Sequence, residues 1–159
     1  MKLFQYKITD SPRTGAIFDC IMTKKFTLGK NERLKSRKLI EQLFNDGKSF
    51  NLLPYRVLFN LTNPTERKIV GALQFGVAVS SKNFKKAVHR NRIKRLTREV
   101  YRLQKFPLQE KLKEKQHILD LFFIYTSKEL PDYHLVKEKV NLILERLIKM
   151  IDENNTSSS

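Results

Sequence analysis

The stretch KAVHRNRIKRLTRE, residues 86–99, combines a helical hydrophobic period with a high density of positive charge. Apolar side chains recur there and just beyond at steps of three and four residues, which predicts an amphipathic helix with one core-facing stripe. The stripe consists of Ile93, Leu96, Val100 and Leu103. Because Pro107 disfavours a helical residue before it, we expect the helix to run from about Phe84 to Lys105.

The opposite side of this predicted helix is strongly cationic. It carries Arg90, Asn91, Lys94, Arg95, Arg98 and Arg102. Each pair of like charges four residues apart destabilises an isolated helix by about 0.2–0.5 kcal/mol. Glu99 alone cannot offset the repulsion of all these pairs. A basic run most often forms a solvated surface, but this density favours a polyanionic ligand. Guanidinium groups match phosphate oxygens in two-point geometry, and the asparagine can reach sugar hydroxyls or base edges.

The whole chain shares this charge bias. It has 159 residues, with 32 Lys and Arg against 16 Asp and Glu, and a formal net charge of +16. Such a balance is typical of nucleic-acid binders. An anionic membrane surface is the competing partner, but the apolar stripe of the basic helix is needed for the core. No apolar run reaches the roughly 18 residues of a transmembrane helix, and the single Cys20 excludes an internal disulfide.

The elements around the basic helix follow in the order α-β-β-α-β-α, with a short extra strand at residues 48–52. The predicted elements are a helix from Ser36 to residue 46, strands at 55–61 and 69–79, the basic helix, a strand at 118–125 and a helix from Pro131. The first two long strands, separated by a turn at 62–66, are expected to form a hairpin. The strand at 118–125 is apolar on both faces except at Asp120, which places it inside the sheet.

This order predicts an α+β fold in which helices cover a single, mostly antiparallel sheet. Residues 24–152 are expected to form one domain, and residues 153–159 a polar tail. Residues 1–23 are expected to be a poorly ordered extension, or the first 21 of them a mis-assigned start, because Met22 begins a more natural N-terminus. No basic start is followed by an apolar run, so no signal peptide is expected.

No constellation of catalytic or metal-binding residues is evident in the sequence. The three histidines, His89, His117 and His134, are not spaced as metal ligands on one element. Glycine-rich loops that cradle phosphates are also missing. If the protein takes part in catalysis, we expect its partner to supply the reacting groups.

The basic stretch, from Lys86-Ala87-Val88 through Arg90-Asn91-Arg92-Ile93-Lys94-Arg95-Leu96 to Arg98-Glu99, resembles the signature of the bacterial ribonuclease P protein subunit. Further landmarks similar to that family stand in register at residues 26–35, 44–49 and 76–80. The resemblance covers roughly residues 24–150. The fold that it implies is a ribosomal-protein-like two-layer sandwich with a left-handed β-α-β crossover, a hand that general rules disfavour.

The resemblance also implies a function. Members are cytoplasmic, monomeric proteins that bind a catalytic RNA in a 1:1 ribonucleoprotein. The holoenzyme removes the 5′ leader from precursor tRNA by hydrolysing one phosphodiester bond. The RNA and its Mg²⁺ ions perform the chemistry, so no catalytic residue and no metal bound by the protein alone are expected.

By position, the resemblance assigns residues to two surfaces. Catalytic-RNA binding falls to Lys86, Arg90, Asn91, Arg92, Lys94, Arg95, Arg98 and Arg102. Binding of the single-stranded leader, in a cleft between the first helix and the sheet, falls to Ile40, Phe44, Phe59 and Lys82. Exposed aromatic rings can stack unpaired bases without strong sequence preference. Ile40 stands where the family often has an aromatic residue, and Ser80-Ser81-Lys82 stands where two lysines often follow the strand.

Two other classes of nucleic-acid-binding protein compete with this interpretation. A non-catalytic ribosomal-type RNA-binding protein would explain the charge but not the cleft landmarks. A duplex-DNA binder would lay the basic helix in the major groove, but the sequence shows neither a dimerising element nor a recognition-helix pair.

Overall fold

The computed structural model describes residues 26–62 and 73–156 and has the predicted α+β architecture. Its elements are α1 Arg37–Asn45, β1 Lys48–Leu52, β2 Tyr55–Thr62, β3 Leu73–Val79, α2 Ala87–Gln104, α3 Phe106–Glu114, β4 Ile118–Tyr125 and α4 Tyr133–Thr156. The short extra strand is therefore present as β1. The N-terminal extension, most of the predicted turn at 62–66 and the start of the strand predicted from residue 69 lie outside the described residues.

The four strands form one sheet in the order β1-β2-β4-β3. The β1–β2 and β2–β4 pairs are antiparallel, and the β3–β4 pair is parallel. The predicted hairpin between β2 and β3 is wrong, because β4 lies between them. A strand that is apolar on both faces is buried when strands flank it and other elements pack on both faces of the sheet. The interior position predicted for β4 is confirmed, because β4 lies between β2 and β3. Since parallel neighbours need a crossover, the chain returns from β3 to β4 through α2 and α3.

The two faces of the sheet carry separate cores. On one face, Val57 and Phe59 of β2 belong to the main core, which α2, α3 and α4 cover. On the other face, Leu58 joins Leu43 of α1 in a smaller core. The period-two alternation of β2 therefore divides its apolar residues between the two layers.

Helix α2 packs through a stripe rotated from the predicted one. Ile93 and Val100 are buried as expected, but Leu103 is 40% exposed, so its predicted place in the core is wrong. Thr97 and Tyr101 complete the buried face instead. The Thr97 hydroxyl lies 2.8 Å from the Tyr55 hydroxyl, and the Tyr101 ring stacks on Phe75 with centroids 3.7 Å apart. Polar groups can be buried when they find such partners.

The remaining helices match the sequence pattern with three refinements. Helix α2 ends at Gln104, and Pro107 lies in the first turn of α3, where its missing N–H costs nothing. The charged segment 108–116 is mostly helical, because Leu108 and Leu112 are buried. Helix α4 continues to Thr156, into the segment predicted as a tail. None of the helices within the described residues is long and apolar enough to span a membrane.

Candidate nucleic-acid interface

The outward face of α2 presents exposed polar and cationic side chains. Asn91, Arg92, Arg95 and Arg98 are exposed on this helix, and Lys86 is exposed just before it. The buried stripe through Ile93 and Val100 fixes the rotation of the helix, so these groups point away from the core. A shallow depression of about 640 Å³ lies along the same face and is lined in part by Asn91, Arg92 and Arg95. We call the exposed Asn91, Arg92, Arg95 and Arg98 the α2 basic face.

Two of the predicted RNA-binding residues bond within the fold itself, and a third is half-buried. Arg90 is half-buried, and its Nη1 donates to the carbonyl oxygens of Phe84 at 2.8 Å and Lys85 at 2.6 Å. Lys94 is also half-buried. Arg102 forms a two-point ion pair with Glu99. The structure therefore separates these three side chains from the α2 basic face.

The C-terminal end of α2 is anchored by a nearly buried cation. Lys105 is 3% exposed and donates to a carboxylate oxygen of Glu32 and to the carbonyl oxygen of Thr27. The Glu32 carboxylate also accepts from Gln109 Nε2 and from the backbone N–H of Gly29, each at 2.7 Å. Burial raises the pKa of Glu32, but the hydrogen bonds from Lys105, Gly29 and Gln109 outweigh it, so its pKa lies below the ordinary value.

This network ties the segment before α1 to the basic helix. Just beyond Glu32, the same segment pairs with the edge of β3, where Leu34 N–H donates to the Phe75 carbonyl at 3.0 Å. Sequence reasoning missed the ion pair, because it grouped Lys105 with the basic helix. The available signal was an isolated acid, Glu32, within the basic landmark at residues 26–35.

A second surface lies between α1 and the sheet, where the resemblance places the leader-binding residues. Phe44 is 51% exposed on α1, and its ring meets the edge of Phe122 with centroids 5.7 Å apart. Ile40, one turn earlier, is half-buried against the smaller core. The Phe122 ring covers Gly76, where an added Cβ would lie 2.4 Å from a ring carbon. Glycine at position 76 therefore allows the ring to approach the backbone of β3 closely. We call this surface the α1 cleft.

Phe59 does not lie in the α1 cleft, so its predicted place beside Ile40 and Phe44 is wrong. It is 6% exposed on the opposite face of the sheet, in the main core. Strand register places Leu58 and Phe122 side by side on the α1 face, and Phe59 opposite Leu121 on the other. Arg56 is exposed and shares the α1 face by the same alternation, a cation that the cleft assignment missed. Lys82 is exposed in the loop between β3 and α2.

Metal-binding geometry is the remaining question at these surfaces. Within residues 26–62 and 73–156, no three His, Cys, Asp or Glu side chains come together as potential metal ligands. The described surfaces therefore offer cations, aromatic rings and amides, which suit a polyanion with unpaired bases.

Comparison with known proteins identifies the family of this chain. The family model for Ribonuclease P matches residues 28–148. The chain belongs to the ribonuclease P protein family. A ribonuclease P protein component from Porphyromonas gingivalis is 39% identical over 122 residues, which cover 77% of this chain and 87% of the relative. One from Chlorobium phaeobacteroides is 30% identical over 128 residues, with 76% and 88% covered. The resemblance seen in the sequence is confirmed.

Solved structures of ribonuclease P proteins have the same fold. The protein from Thermotoga maritima is 29% identical, with a TM-score of 0.55 over 72% of this chain and 96% of its own. The protein from Staphylococcus aureus is 20% identical, with a TM-score of 0.57 over 73% and 94%. The second likeness concerns the fold alone. Both place this chain's single sheet and its helices in the ribonuclease P protein architecture.

Proposed function

We propose that this chain is the RNA-binding subunit of a ribonuclease P holoenzyme, which removes the 5′ leader of precursor tRNA. The protein binds the catalytic RNA and the leader, and it forms a 1:1 complex. The observation that carries the proposal is the α2 basic face, held rigidly outward on a helix whose other face is buried. In this family, such a face suits a folded RNA whose phosphates neutralise it.

The α1 cleft suits the single-stranded leader. Phe44 presents about half of its ring to solvent, and its partner Phe122 keeps that ring in place from below. Stacking of a base on an aromatic ring contributes roughly 1–3 kcal/mol and tolerates any base. This tolerance fits an enzyme that must accept many different leaders. Arg56 supplies a cation on the same face of the sheet.

The chemistry in this proposal belongs to the RNA and its Mg²⁺ ions. The described part of the chain brings together no cluster of acidic or histidine ligands, so no step is assigned to a metal held by this protein. Its contribution is to position the substrate and to neutralise phosphate repulsion between the two RNAs. A polyanion that is neutralised by Lys and Arg needs fewer counterions.

The proposal predicts that the purified protein stimulates a bacterial ribonuclease P RNA. At low Mg²⁺, where the RNA alone is slow, adding one equivalent should raise the rate of precursor tRNA cleavage by tenfold or more. Release of the 5′ leader on a denaturing gel measures this directly. Tight binding to the RNA without any stimulation would instead favour the ribosomal-type binding protein, and no binding would contradict both.

Phe44→Ala should weaken the binding of precursor tRNA and leave the binding of mature tRNA unchanged. Because Phe44 is half-exposed at the cleft, its removal takes away a stacking partner of the leader, at a cost of roughly 1–3 kcal/mol. Binding of both tRNAs to the assembled holoenzyme measures the difference. Leu135→Ala, which truncates another exposed apolar side chain on α4, outside the cleft and the α2 basic face, is the control. Equal losses for precursor and mature tRNA would exclude a role in leader binding.

A further inference from the structure

A groove at the far edge of the sheet is distinct from both the α1 cleft and the α2 basic face. It has a volume of about 480 Å³ and lies between β1 and the C-terminal half of α4. Its lining includes Lys48, Phe50, Phe59, Arg146, Met150 and Glu153. In the sheet order, β1 is the edge strand farthest from β3, against which α2 packs. Helix α4 lies next to α2, and no lining residue of the groove belongs to α2.

The walls of the groove combine aromatic rings with a planar cation. The Arg146 guanidinium carbon lies 4.7 Å from the centroid of the Phe50 ring, and Phe50 meets the edge of Phe59 with centroids 6.0 Å apart. Phe59 is nearly buried and Phe50 is half-buried, so the rings are held by the core. A guanidinium fixed on an aromatic ring leaves its other face free to stack on a second planar group.

The groove also suits a ligand with a negative charge and hydrogen-bonding edges. Two cations, Lys48 and Arg146, line it against one carboxylate, Glu153. Among the described residues, β1 pairs only with β2, so the outer N–H and C=O groups of an edge strand are available to a ligand. Pockets of about 300–1,000 Å³ accommodate small organic groups, and a nucleotide has the planar base and the phosphate that these walls would contact.

We propose that this groove binds one unpaired nucleotide of a single-stranded RNA, with its base stacked on the Arg146–Phe50 pair and its phosphate near Lys48. The inference rests on the proposed function in one respect, that the ligand is RNA. It gives Phe59 a place in RNA binding on the face opposite the α1 cleft. The protein would then hold RNA on both faces of its sheet.

The test is photo-cross-linking of the full chain to a short RNA that contains 5-iodouridine, in a Phe44→Ala background that weakens the α1 cleft. We expect cross-links in the peptide of residues 49–56, which contains Phe50. Phe50→Leu keeps the apolar wall but removes the ring, and it should reduce that cross-link roughly fivefold or more. Arg146→Lys keeps the charge but loses the planar group, and a loss of about threefold or more is expected.

The controls separate this inference from its alternatives. Lys137→Ala removes an exposed charge elsewhere on α4 and should change the cross-link less than about twofold. No cross-link at residues 49–56, or one unchanged by Phe50→Leu and Arg146→Lys, would overturn the proposal. Full displacement by excess uridine monophosphate would indicate a free nucleotide as the ligand and would also overturn it. Stimulation of ribonuclease P RNA is measured in a separate assay. The cross-linking result can therefore contradict nucleotide binding in the groove while the proposed function stands, and the cleavage assay can contradict the proposed function while the groove still binds RNA.

Discussion

Glu32→Gln is expected to destabilise the folded protein by about 3 kcal/mol, because it leaves a nearly buried cation without its counter-charge. Lys105 is 3% exposed and would lose its counter-charge, while the glutamine keeps the size of the side chain. For a domain of this size, such a loss lowers the midpoint of thermal unfolding by roughly 10 °C. Calorimetry or thermal circular dichroism measures the shift. An unchanged midpoint would show that Lys105 finds water or another acceptor.

An exposed ion pair on α1 provides the matched control. Arg37 Nε lies 3.5 Å from Glu41 Oε1, and the two side chains are 92% and 64% exposed. Pairs of this kind contribute about 0–1 kcal/mol, so Glu41→Gln should leave the midpoint nearly unchanged. The same chemical substitution thus compares a partly buried carboxylate, paired with a nearly buried cation, with an exposed one. A second comparison is Glu32→Gln with Lys105→Met, which removes both charges and should recover part of the loss.

The pH dependence of stability offers an independent measurement of the same pair. The folded-state pKa of Glu32 lies below its ordinary value of 4.5, so folding favours the ionised carboxylate. Its contribution is therefore fully present above about pH 4.5 and is lost as the pH falls through the lower folded-state pKa. The difference in stability between the native chain and Glu32→Gln should shrink in that acidic window.

The sequence predicted the positions of the strands and helices better than it predicted which strands pair with each other. Alternation within β2 and the doubly apolar character of β4 follow from local patterns, and both strands formed as expected. The pairing of β2 with β4 is set by long-range contacts between strands more than 50 residues apart in sequence. A turn between two successive strands favours a hairpin, but it cannot show that a later, more apolar strand will lie between them.

The candidate site shows the same division between local and long-range information. Helical spacing predicts Asn91, Arg95 and Arg98 of the α2 basic face, because charged and apolar residues separate at 100° per residue, whereas Arg92 entered through the resemblance. The rotation of the stripe toward Thr97 and Tyr101 depends on Tyr55 and Phe75, which lie on other elements. Likewise, the resemblance places Phe59 in the α1 cleft by position, and the alternation of β2 alone does not reveal which face of the strand will meet α1.

Replacing Arg92, Arg95 and Arg98 with alanine is expected to reduce affinity for ribonuclease P RNA by roughly a hundredfold or more. All three side chains are exposed on α2, unlike Arg90 and Arg102, whose guanidinium groups donate to other residues of the protein. Even about 1 kcal/mol for each lost phosphate contact gives this factor. The slope of log affinity against log salt should also become shallower by about 2–3, at roughly 0.7–0.9 for each contact. Filter binding over a series of salt concentrations measures both quantities.

The control for this triple variant removes the same charge from other surfaces. Lys113, Lys128 and Lys137 are exposed on α3, on the loop before α4 and on α4. Their replacement with alanine lowers the net charge equally, so it accounts for any long-range effect of charge on association. We expect a much smaller change in the salt slope. Equal changes in the two triple variants would mean that total charge, and not the α2 basic face, controls RNA binding.

Comparison of Arg90→Ala with Arg95→Ala tests whether the fold divides the basic helix as described. Both arginines belong to the same motif, but Arg90 donates to the carbonyls of Phe84 and Lys85, while Arg95 is exposed. Arg95→Ala should make the salt slope shallower by about 0.7–0.9 and leave the unfolding midpoint unchanged. Arg90→Ala should lower the midpoint, because it leaves two carbonyls at the start of α2 without their donor, and should change the slope less. The opposite pattern would place Arg90 in the interface and Arg95 outside it.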